Sequence, residues 1–213
     1  AAGNQPTVSI YLIRDYYFFP FADYILYSDG YVYDSSWHQQ PLSSGMWNCW
    51  SYNGATQTWT LSCGTTINAT LYVYGNATIS ANVGFSASPW ITSIVSTKSI
   101  QVLSTNITAR PPTVADGTLY HSGTQNILFL ARRDIKITGQ PGQNLTGIIA
   151  AREQVGISGN PSINGYVLAA DAGTTSTLVT SNSISGALNL TYNGDKGNPY
   201  LGNVQVVTWQ PGP

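Results

Sequence analysis

The sequence is poor in charged residues. They make up only 8% of its 213 residues, whereas about a quarter is usual in a soluble domain. Its eight Lys and Arg residues are balanced by nine Asp and Glu residues. Because no basic stripe is available to neutralise phosphates, we expect no nucleic-acid partner. Ser, Thr, Asn, Gly and Tyr take over the surface positions, a composition typical of secreted and cell-surface proteins.

Long apolar runs and metal-ligand patterns are also missing. No stretch approaches the roughly 18 consecutive apolar residues of a membrane-spanning helix, so we expect no membrane span. The two cysteines have no neighbouring His or Cys, which is too few ligands for a structural zinc site. His38 and His121 lie far apart and in no metal-ligand spacing, so we interpret both as surface or loop residues. The sequence predicts neither a metal nor another cofactor.

What the sequence does contain is a repeat of about 20 residues, because 131–150 aligns with 151–169. Each copy has two short runs of alternating apolar residues separated by a glycine turn, which indicates two strands and a corner. Such a unit cannot bury its apolar face alone and must stack on neighbours. The sequence therefore predicts an all-β chain that forms a parallel β-solenoid. Equivalent positions are Ile135 and Val155, Ile137 and Ile157, Gly139 and Gly159, Leu145 and Ile163, Gly147 and Gly165, and Ile149 and Val167.

Fainter copies extend the pattern in both directions. We expect about five or six rungs between Tyr24 and Leu190, in a solenoid domain over 24–213 with excursions at 35–65 and 109–127. We interpret the recurring glycines as corner residues, since none carries the Lys-Ser/Thr of a phosphate-binding loop. The further copies are 71–83, which matches 155–167 without a gap, 184–188, which matches 163–167, 100–102 with Ile107, and 24–33 as the first rung.

Cys49 and Cys63 flank a turn signal, Asn53-Gly54. A hairpin at this turn would bring the two cysteines close together. A disulfide there would contribute about 3 kcal/mol to stability; the alternative is a pair of buried free thiols.

The tryptophans of the first quarter of the chain allow two interpretations. Exposed rings stack on sugars, whereas buried rings would form an aromatic mini-core beneath the first excursion. The residues in question are Trp37, Trp47, Trp50 and Trp59.

The N-terminal segment 1–23 is the most apolar and β-prone part of the chain. It is either a strand that caps the solenoid or a donor strand that completes the sheet of a neighbouring copy. The segment 204–209 alternates like a terminal strand. The chain starts at Ala1 without Met, which predicts a mature, extracellular form after signal removal, or else a chain shortened by other means. The candidate assembly residues are Val8, Ile10, Leu12, Tyr17 and Phe19.

Asn-x-Ser/Thr sequons offer candidate glycosylation sites, and unused sequons are the alternative. They are Asn68, Asn76, Asn106, Asn144 and Asn189.

Carboxylates are too scattered to indicate an enzyme. Sugar cleavage by paired carboxylates needs two of them within about 10 Å, and the repeat instead places Arg133 over Glu153 as a surface ion pair. We therefore expect no catalytic residues. A polysaccharide-degrading solenoid enzyme, the third possibility, would require convergence among Asp116, Asp134, Asp171 and Glu153.

The runs 128–139, 146–150 and 155–165 resemble the solenoid region of type IV pilus assembly and minor-pilin-like proteins. The tail 184–194, closing on 207–209, resembles their C-terminal end; bactofilin solenoids show similar spacing. The resemblance implies an extracellular filament component or a pilus-associated adhesin, without catalytic residues. The family's long apolar N-terminal helix is not among these residues, so it was removed or assembly takes another route.

These observations predict a structural subunit of an extracellular filament or pilus. Its partners would be neighbouring copies of the same chain, joined by strand exchange or by solenoid stacking. The alternative is a monomeric pilus-tip or cell-surface adhesin that binds surface carbohydrate.

Overall fold

The protein is described here by a computed structural model that covers residues 14–43, 45–104, 106–139, 143–173 and 175–192. Strands account for 46% and helices for 11% of the structure, which confirms the expected all-β class. The helices are short 3-10 turns. They are η1 (Asp15–Phe21), η2 (Gly45–Trp47), η3 (Val114–Leu119) and η4 (Ser122–Thr124).

The strands are numbered in chain order. They are β1 (Tyr24–Leu26), β2 (Val32–Asp34), β3 (Gln39–Gln40), β4 (Trp50–Asn53), β5 (Thr58–Leu61), β6 (Ala69–Val73), β7 (Asn76–Ile79), β8 (Trp90–Ser96), β9 (Ile100–Val102), β10 (Thr108–Arg110), β11 (Ile127–Ala131), β12 (Ile135–Gly139), β13 (Asn144–Ala151), β14 (Val155–Gly159), β15 (Ser162–Ala169), β16 (Ser183–Ser185) and β17 (Asn189–Tyr192).

The strands form two mixed sheets. Sheet A has the order β17-β15-β13-β10-β8-β6-β1-β2-β3, with β11 also between β13 and β8, and sheet B has the order β16-β14-β12-β9-β7-β5-β4. The antiparallel strand pairs β1–β2, β2–β3 and β4–β5 all lie at one end of the sheets. From β5 onward, the strands that follow one another along the chain alternate between the two sheets. Apart from the antiparallel pair β4–β5, each of them pairs in parallel with its neighbours. The pair β10 and β11 stays in sheet A.

The two clearest sequence copies are direct neighbours in the sheets. Strands β12 and β14 pair Ile135 with Val155, and strands β13 and β15 pair Leu145 with Ile163. This register confirms the sequence alignment of the two copies. It is strongly specified because a slip by one residue would turn every buried side chain to the opposite face.

For the fainter copies, the sequence alignment is wrong by one strand, so it matches strands of sheet A with strands of sheet B. Leu71 lies on β6 in sheet A, whereas its aligned position Val155 lies in sheet B. Ile184 lies on β16 in sheet B, whereas Ile163 lies in sheet A. Both strands of a unit share the same alternation of apolar residues, so the pattern does not tell one sheet from the other.

The two excursions from the sheets have other bounds than the sequence predicted. The segment 111–126 separates β10 from β11, which occupy the same level of sheet A between β8 and β13. Residues 24–33 do not form a single rung, because β2 folds back on β1 as a hairpin. The first excursion, expected at 35–65, ends earlier, since β5 already pairs with β7 in sheet B.

The core lies between the two sheets and is built from columns of apolar side chains that stack from strand to strand. Complete burial of each large apolar side chain contributes about 1.5–3 kcal/mol. One column of sheet A consists of Leu71, Ile94, Phe129, Ile149 and Val167.

The outer face of sheet A is covered by η1 and the second excursion. Phe18 is buried there, and Tyr72 donates a hydrogen bond of 3.0 Å to the buried carboxylate of Asp15. Tyr17 and Phe19 therefore belong to a 3-10 turn, and their assignment to an assembly strand was wrong. The turn forms because burial of Phe18 on the sheet and the hydrogen bond from Tyr72 to Asp15 outweigh the β propensity of the sequence. The assembly residues Val8, Ile10 and Leu12 lie outside the described residues.

Glycines of the repeat lie where neighbouring parallel strands approach closely. Gly159 has φ +85°, and a Cβ atom there would lie 2.0 Å from the carbonyl oxygen of Gly139. A Cβ atom at Gly165 would meet the carbonyl oxygen of Gly147 at 2.1 Å. Any larger residue at these positions would push the strands apart. The predicted corner position fits Gly139 and Gly159, which end β12 and β14, whereas Gly147 and Gly165 lie inside β13 and β15.

We expect Gly159→Ala to lower the free energy of unfolding by at least about 3 kcal/mol, because a clash adds to the cost of positive φ. The matched control is Gly45→Ala, whose φ is +66° but whose Cβ would meet nothing within 4 Å. This control should cost about 1 kcal/mol. Urea denaturation followed by circular dichroism measures both. Equal losses in the two variants would contradict the close-approach explanation.

The disulfide between Cys49 and Cys63 is present. The hairpin β4–β5 brings the two cysteines together, with a Cα–Cα distance of 5.1 Å. Its turn is held by Asn53, whose Oδ1 accepts a hydrogen bond of 3.0 Å from the backbone of Ala55. The predicted turn at Asn53-Gly54 and the predicted disulfide are both confirmed.

Reduction should lower the melting temperature by roughly 6–12 °C, because opening a loop of this length costs about 3 kcal/mol in a domain of this size. Thermal melts with and without dithiothreitol measure the change. A Cys49→Ser/Cys63→Ser variant should melt at the temperature of the reduced protein and should not respond to the reductant. If dithiothreitol also lowered the melting temperature of that variant, the change would not come from the disulfide.

Candidate functional site

The end of the sheets formed by β16 and β17 carries exposed apolar residues. Ile184 pairs with Ile157, and Leu190 pairs with Ile163, so both continue buried core columns. Ile157 and Ile163 are each 1% exposed, whereas Ile184 is 60% and Leu190 is 45% exposed. Among the described residues, β16 pairs only with β14, and β17 only with β15. Among the described residues, this end is therefore an exposed apolar edge of both sheets.

The opposite end is closed. Its outer strands β2, β3 and β4 run antiparallel to the strands beneath them, and β3 is only two residues long. The disulfide secures β4, and Trp47 and Trp50 are buried beside it. Short antiparallel edges of this kind protect a sheet against further pairing. Within the described part of the chain the two ends are thus unlike, and the β16/β17 end is the one that exposes its core columns.

The tryptophans named as sugar-stacking candidates separate into two groups. Trp47, Trp50 and Trp59 are 4%, 3% and 0% exposed, so their rings offer no face to a sugar. Trp59 donates a hydrogen bond of 3.1 Å from Nε1 to the carbonyl oxygen of Tyr27. For these three, the carbohydrate interpretation is wrong and the aromatic core interpretation holds. Trp37 is different, because 52% of it is exposed.

Trp37 projects from the turn between β2 and β3. It has φ +65°, which is unusual for a bulky residue. The turn is held by Asp34, whose Oδ1 accepts hydrogen bonds of 2.9 Å from the backbone of Ser36 and of His38. These amide donors lower the pKa of the Asp34 carboxyl below its ordinary value. His38 lies beside the same carboxylate, with Nδ1 3.3 Å from Oδ2, and is exposed.

An aromatic platform lies around Trp37. Its ring centroid is 5.7 Å from that of Tyr33, 6.1 Å from Tyr27 and 6.2 Å from Phe19. We define the aromatic platform as these four residues. The rings contact one another edge-on or tilted, an arrangement that aromatic pairs favour. The platform therefore presents one exposed indole on a packed aromatic base.

Burial and the adjacent Asp15 carboxylate raise the pKa of Tyr72, which lies under this region. Burial also raises the pKa of Tyr74. Because both shifts favour the neutral phenol, these rings stay protonated at physiological pH and act as packing and hydrogen-bond donor groups.

Two carboxylates of the repeat accept hydrogen bonds from backbone amides. Glu153 is 5% exposed and accepts hydrogen bonds from Oγ1 and N of Thr175, at 2.5 and 3.1 Å, and from the backbone of Ser176 at 3.0 Å. Asp134 is fully buried and accepts from the backbone of Val179 at 2.9 Å. The expected surface pair of Arg133 with Glu153 was wrong, because Glu153 is buried against this loop.

Of the other two candidate carboxylates, Asp171 lies next to Glu153, whose carbonyl oxygen accepts a hydrogen bond of 3.0 Å from the backbone of Asp171, and Asp116 lies apart from them in the chain. Asp116 belongs to the second excursion and forms two hydrogen bonds, of 2.7 and 2.8 Å, with Arg110. Asp171 is exposed and accepts a hydrogen bond of 3.4 Å from Gln154. His121, in the same excursion as Asp116, lies 3.0 Å from Asp23. Across the described ranges, no group of three or more His, Cys, Asp or Glu side chains is placed to hold a metal.

The sequons differ in accessibility. Asn76 is half-buried, and its amide is engaged on both sides: Nδ2 donates to the carbonyl oxygen of Thr56 at 3.1 Å, and Oδ1 accepts from the backbone of Ser99 at 3.3 Å. A glycan there would break these hydrogen bonds. Glycosylation stays a prediction for the exposed residues Asn68, Asn106, Asn144 and Asn189.

Comparison of the chain with protein-family models, with curated proteins and with solved structures returned no match. Within the described part of the chain, no helix has the length and apolar character needed to cross a membrane. The disulfide fits an extracellular protein.

The Arg110–Asp116 pair predicts a dependence of stability on pH. Hydrogen bonds from Arg110 hold the pKa of Asp116 well below its ordinary value. The charged form is thus favoured in the folded state, so the contribution is complete above an unfolded pKa of about 3.9 and is lost as pH falls through the folded pKa. We expect Asp116→Asn to destabilise the protein at about pH 7 and progressively less below about pH 4.

Urea denaturation of the wild type and Asp116→Asn at several pH values measures this difference. Asp171→Asn is the control, because Asp171 is exposed and has no arginine partner among the described contacts. A destabilisation by Asp116→Asn that stays constant down to about pH 2 would contradict the assignment.

Proposed function

We propose that the two sheets are the opposite faces of a parallel β-solenoid and that the protein is a subunit of an extracellular filament. The alternation of consecutive strands between the sheets supports the solenoid, as does the parallel register of each strand with the one a unit earlier. From β5 to β17, this arrangement corresponds to about six rungs. The hairpins β1–β2–β3 and β4–β5 then act as the cap of one end.

The exposed layer of Ile184 and Leu190 is the observation that carries the filament proposal. Apolar columns that end at an open sheet edge favour addition of another strand or another rung. A neighbouring copy that covered both side chains would gain about 1.5–3 kcal/mol for each one that becomes fully buried. Backbone hydrogen bonds along β16 and β17 would add specificity.

The occupant of this edge is a second copy of the chain, through its residues 7–13. The sequence 7–12 places an apolar residue at every second position, so an extended strand would carry Val8, Ile10 and Leu12 on one face. The contact joins unlike surfaces of two copies, and it produces a fibre when the rotation between successive copies does not close a ring. The disulfide, the low charge and the resemblance to pilus assembly proteins agree with an extracellular setting.

A monomeric adhesin is the second candidate, and the aromatic platform favours it. Trp37 is held in a left-handed turn with half of its surface exposed, and an exposed indole stacks on the apolar face of a sugar ring. In this case the platform, and not the buried tryptophans, would contact carbohydrate.

Electron microscopy and light scattering of the untagged protein test the filament. We expect filaments from the wild type, and none from a chain lacking residues 1–13 or from Ile184→Ser/Leu190→Ser. The matched control is Leu103→Ser/Val114→Ser, which removes two exposed apolar side chains, 43% and 75% exposed, that lie outside β16 and β17. Filaments should persist in this control.

Circular dichroism of each variant excludes unfolding as the cause of lost filaments. Monodisperse wild-type particles would overturn the filament proposal and favour the adhesin. Filaments that survive in Ile184→Ser/Leu190→Ser would show that another surface forms the contact.

A further inference from the structure

The outer face of sheet B carries a groove of about 530 Å³. Its floor is formed by outward side chains of β5, β7, β9 and β12, and its wall by the loop residues Thr175–Leu178. The groove lies on the opposite sheet from the aromatic platform and away from the open edge. It belongs to neither of the surfaces described above.

The floor is a polar ladder across neighbouring strands. The register places Thr78 beside Gln101, and Gln101 beside Lys136. Adjacent strands are about 4.8 Å apart, so hydrogen-bonding side chains recur at that interval along the stack. A chain of sugar residues, which carries hydroxyl groups at regular intervals, fits such a ladder.

Positive charge is concentrated in the groove. Arg133 and Lys136 both line it, and both are partly exposed. Neither side chain takes part in the ion pairs or side-chain hydrogen bonds found among the described residues, in contrast to Arg110 and Arg132. None of the described lining residues is acidic. Two of the chain's eight basic residues therefore line this groove without an ion-pair partner among the described residues.

The wall is fixed in place by buried groups. Glu153 accepts hydrogen bonds from Thr175 and Ser176, and Asp134 accepts one from the backbone of Val179. The hydroxyl of Ser176 also lies 3.3 Å from that of Ser99, which follows β8 and precedes β9. Because these hydrogen bonds hold the wall without a ligand, the groove is preorganised. Binding would therefore cost little conformational entropy in the wall.

We propose that this groove binds an anionic polysaccharide that carries carboxylate groups. Arg133 and Lys136 pair with carboxylates of the glycan, and the ladder of hydroxyl and amide side chains bonds its hydroxyl groups. A single-stranded nucleic acid would require aromatic stacking surfaces, and no aromatic residue is among the described lining residues. The inference does not depend on filament formation, because the groove lies within one chain.

Isothermal titration calorimetry with polygalacturonate oligomers tests the proposal, with uncharged galactan oligomers of matched length as the comparison ligand. We expect binding of polygalacturonate that weakens with added salt, and weaker binding of galactan. Arg133→Gln/Lys136→Gln should weaken polygalacturonate binding by at least about tenfold, since two charge-assisted contacts are lost.

The matched control is Arg132→Gln, which removes the same charge from the adjacent residue. The Arg132 side chain is 55% exposed, lies near Asp15 on the sheet A side and does not line the groove. It should leave binding within about twofold of the wild type. Equal losses in Arg132→Gln and in Arg133→Gln/Lys136→Gln would reduce the effect to general charge attraction and overturn the proposal. So would the absence of polygalacturonate binding by the wild type, or equal affinity for galactan.

The groove and the filament are separable by experiment. Ile184→Ser/Leu190→Ser should abolish filaments and retain polygalacturonate binding. Arg133→Gln/Lys136→Gln should retain filaments and weaken polygalacturonate binding. A thermal melt of each variant verifies folding before the titrations are compared.

Discussion

Parallel register is the constraint on which the rest of this structure depends. In a parallel pair, equivalent residues of two strands lie side by side, so each strand must present the same kind of residue as its neighbour. Position 159 requires glycine because a Cβ atom there would meet the carbonyl oxygen of residue 139 on the neighbouring strand, and Ile163 is buried in a column that Leu145 continues. The close corners and the continuous core are two results of one repeated pairing.

The same constraint explains why the two ends differ. A register that favours one more rung contains no signal to stop, so an end is closed only where the chain leaves the pattern. At one end it does so through antiparallel hairpins, a disulfide and large buried tryptophans. Among the described residues, the strands at the other end remain in register up to Ile184 and Leu190. An exposed edge there follows from continuing the pattern, and it needs no special feature.

The sequence predicted this architecture best where two copies follow each other without interruption. Between β12 and β15, glycine spacing and apolar alternation together determined the register. Elsewhere, alternation alone could not separate sheet A from sheet B, and this led to the half-unit error at Leu71 and Ile184. Local propensity also failed at Asp15–Phe21, because its conformation is set by burial against sheet A. The disulfide was predictable because a turn signal lay between the only two cysteines.

Burial of Glu153 was the largest error at the level of single side chains, and it bears on the groove. Repeat alignment placed Glu153 beside Arg133, and a surface ion pair followed from the usual exposure of glutamate. A buried carboxylate is costly unless hydrogen bonds satisfy it, and the backbone and hydroxyl donors of Thr175 and Ser176 do so. These donors lie far along the chain and show no pattern in the sequence. Because Glu153 binds the loop, Arg133 has no carboxylate partner among the described residues, and the same contacts build the wall of the groove.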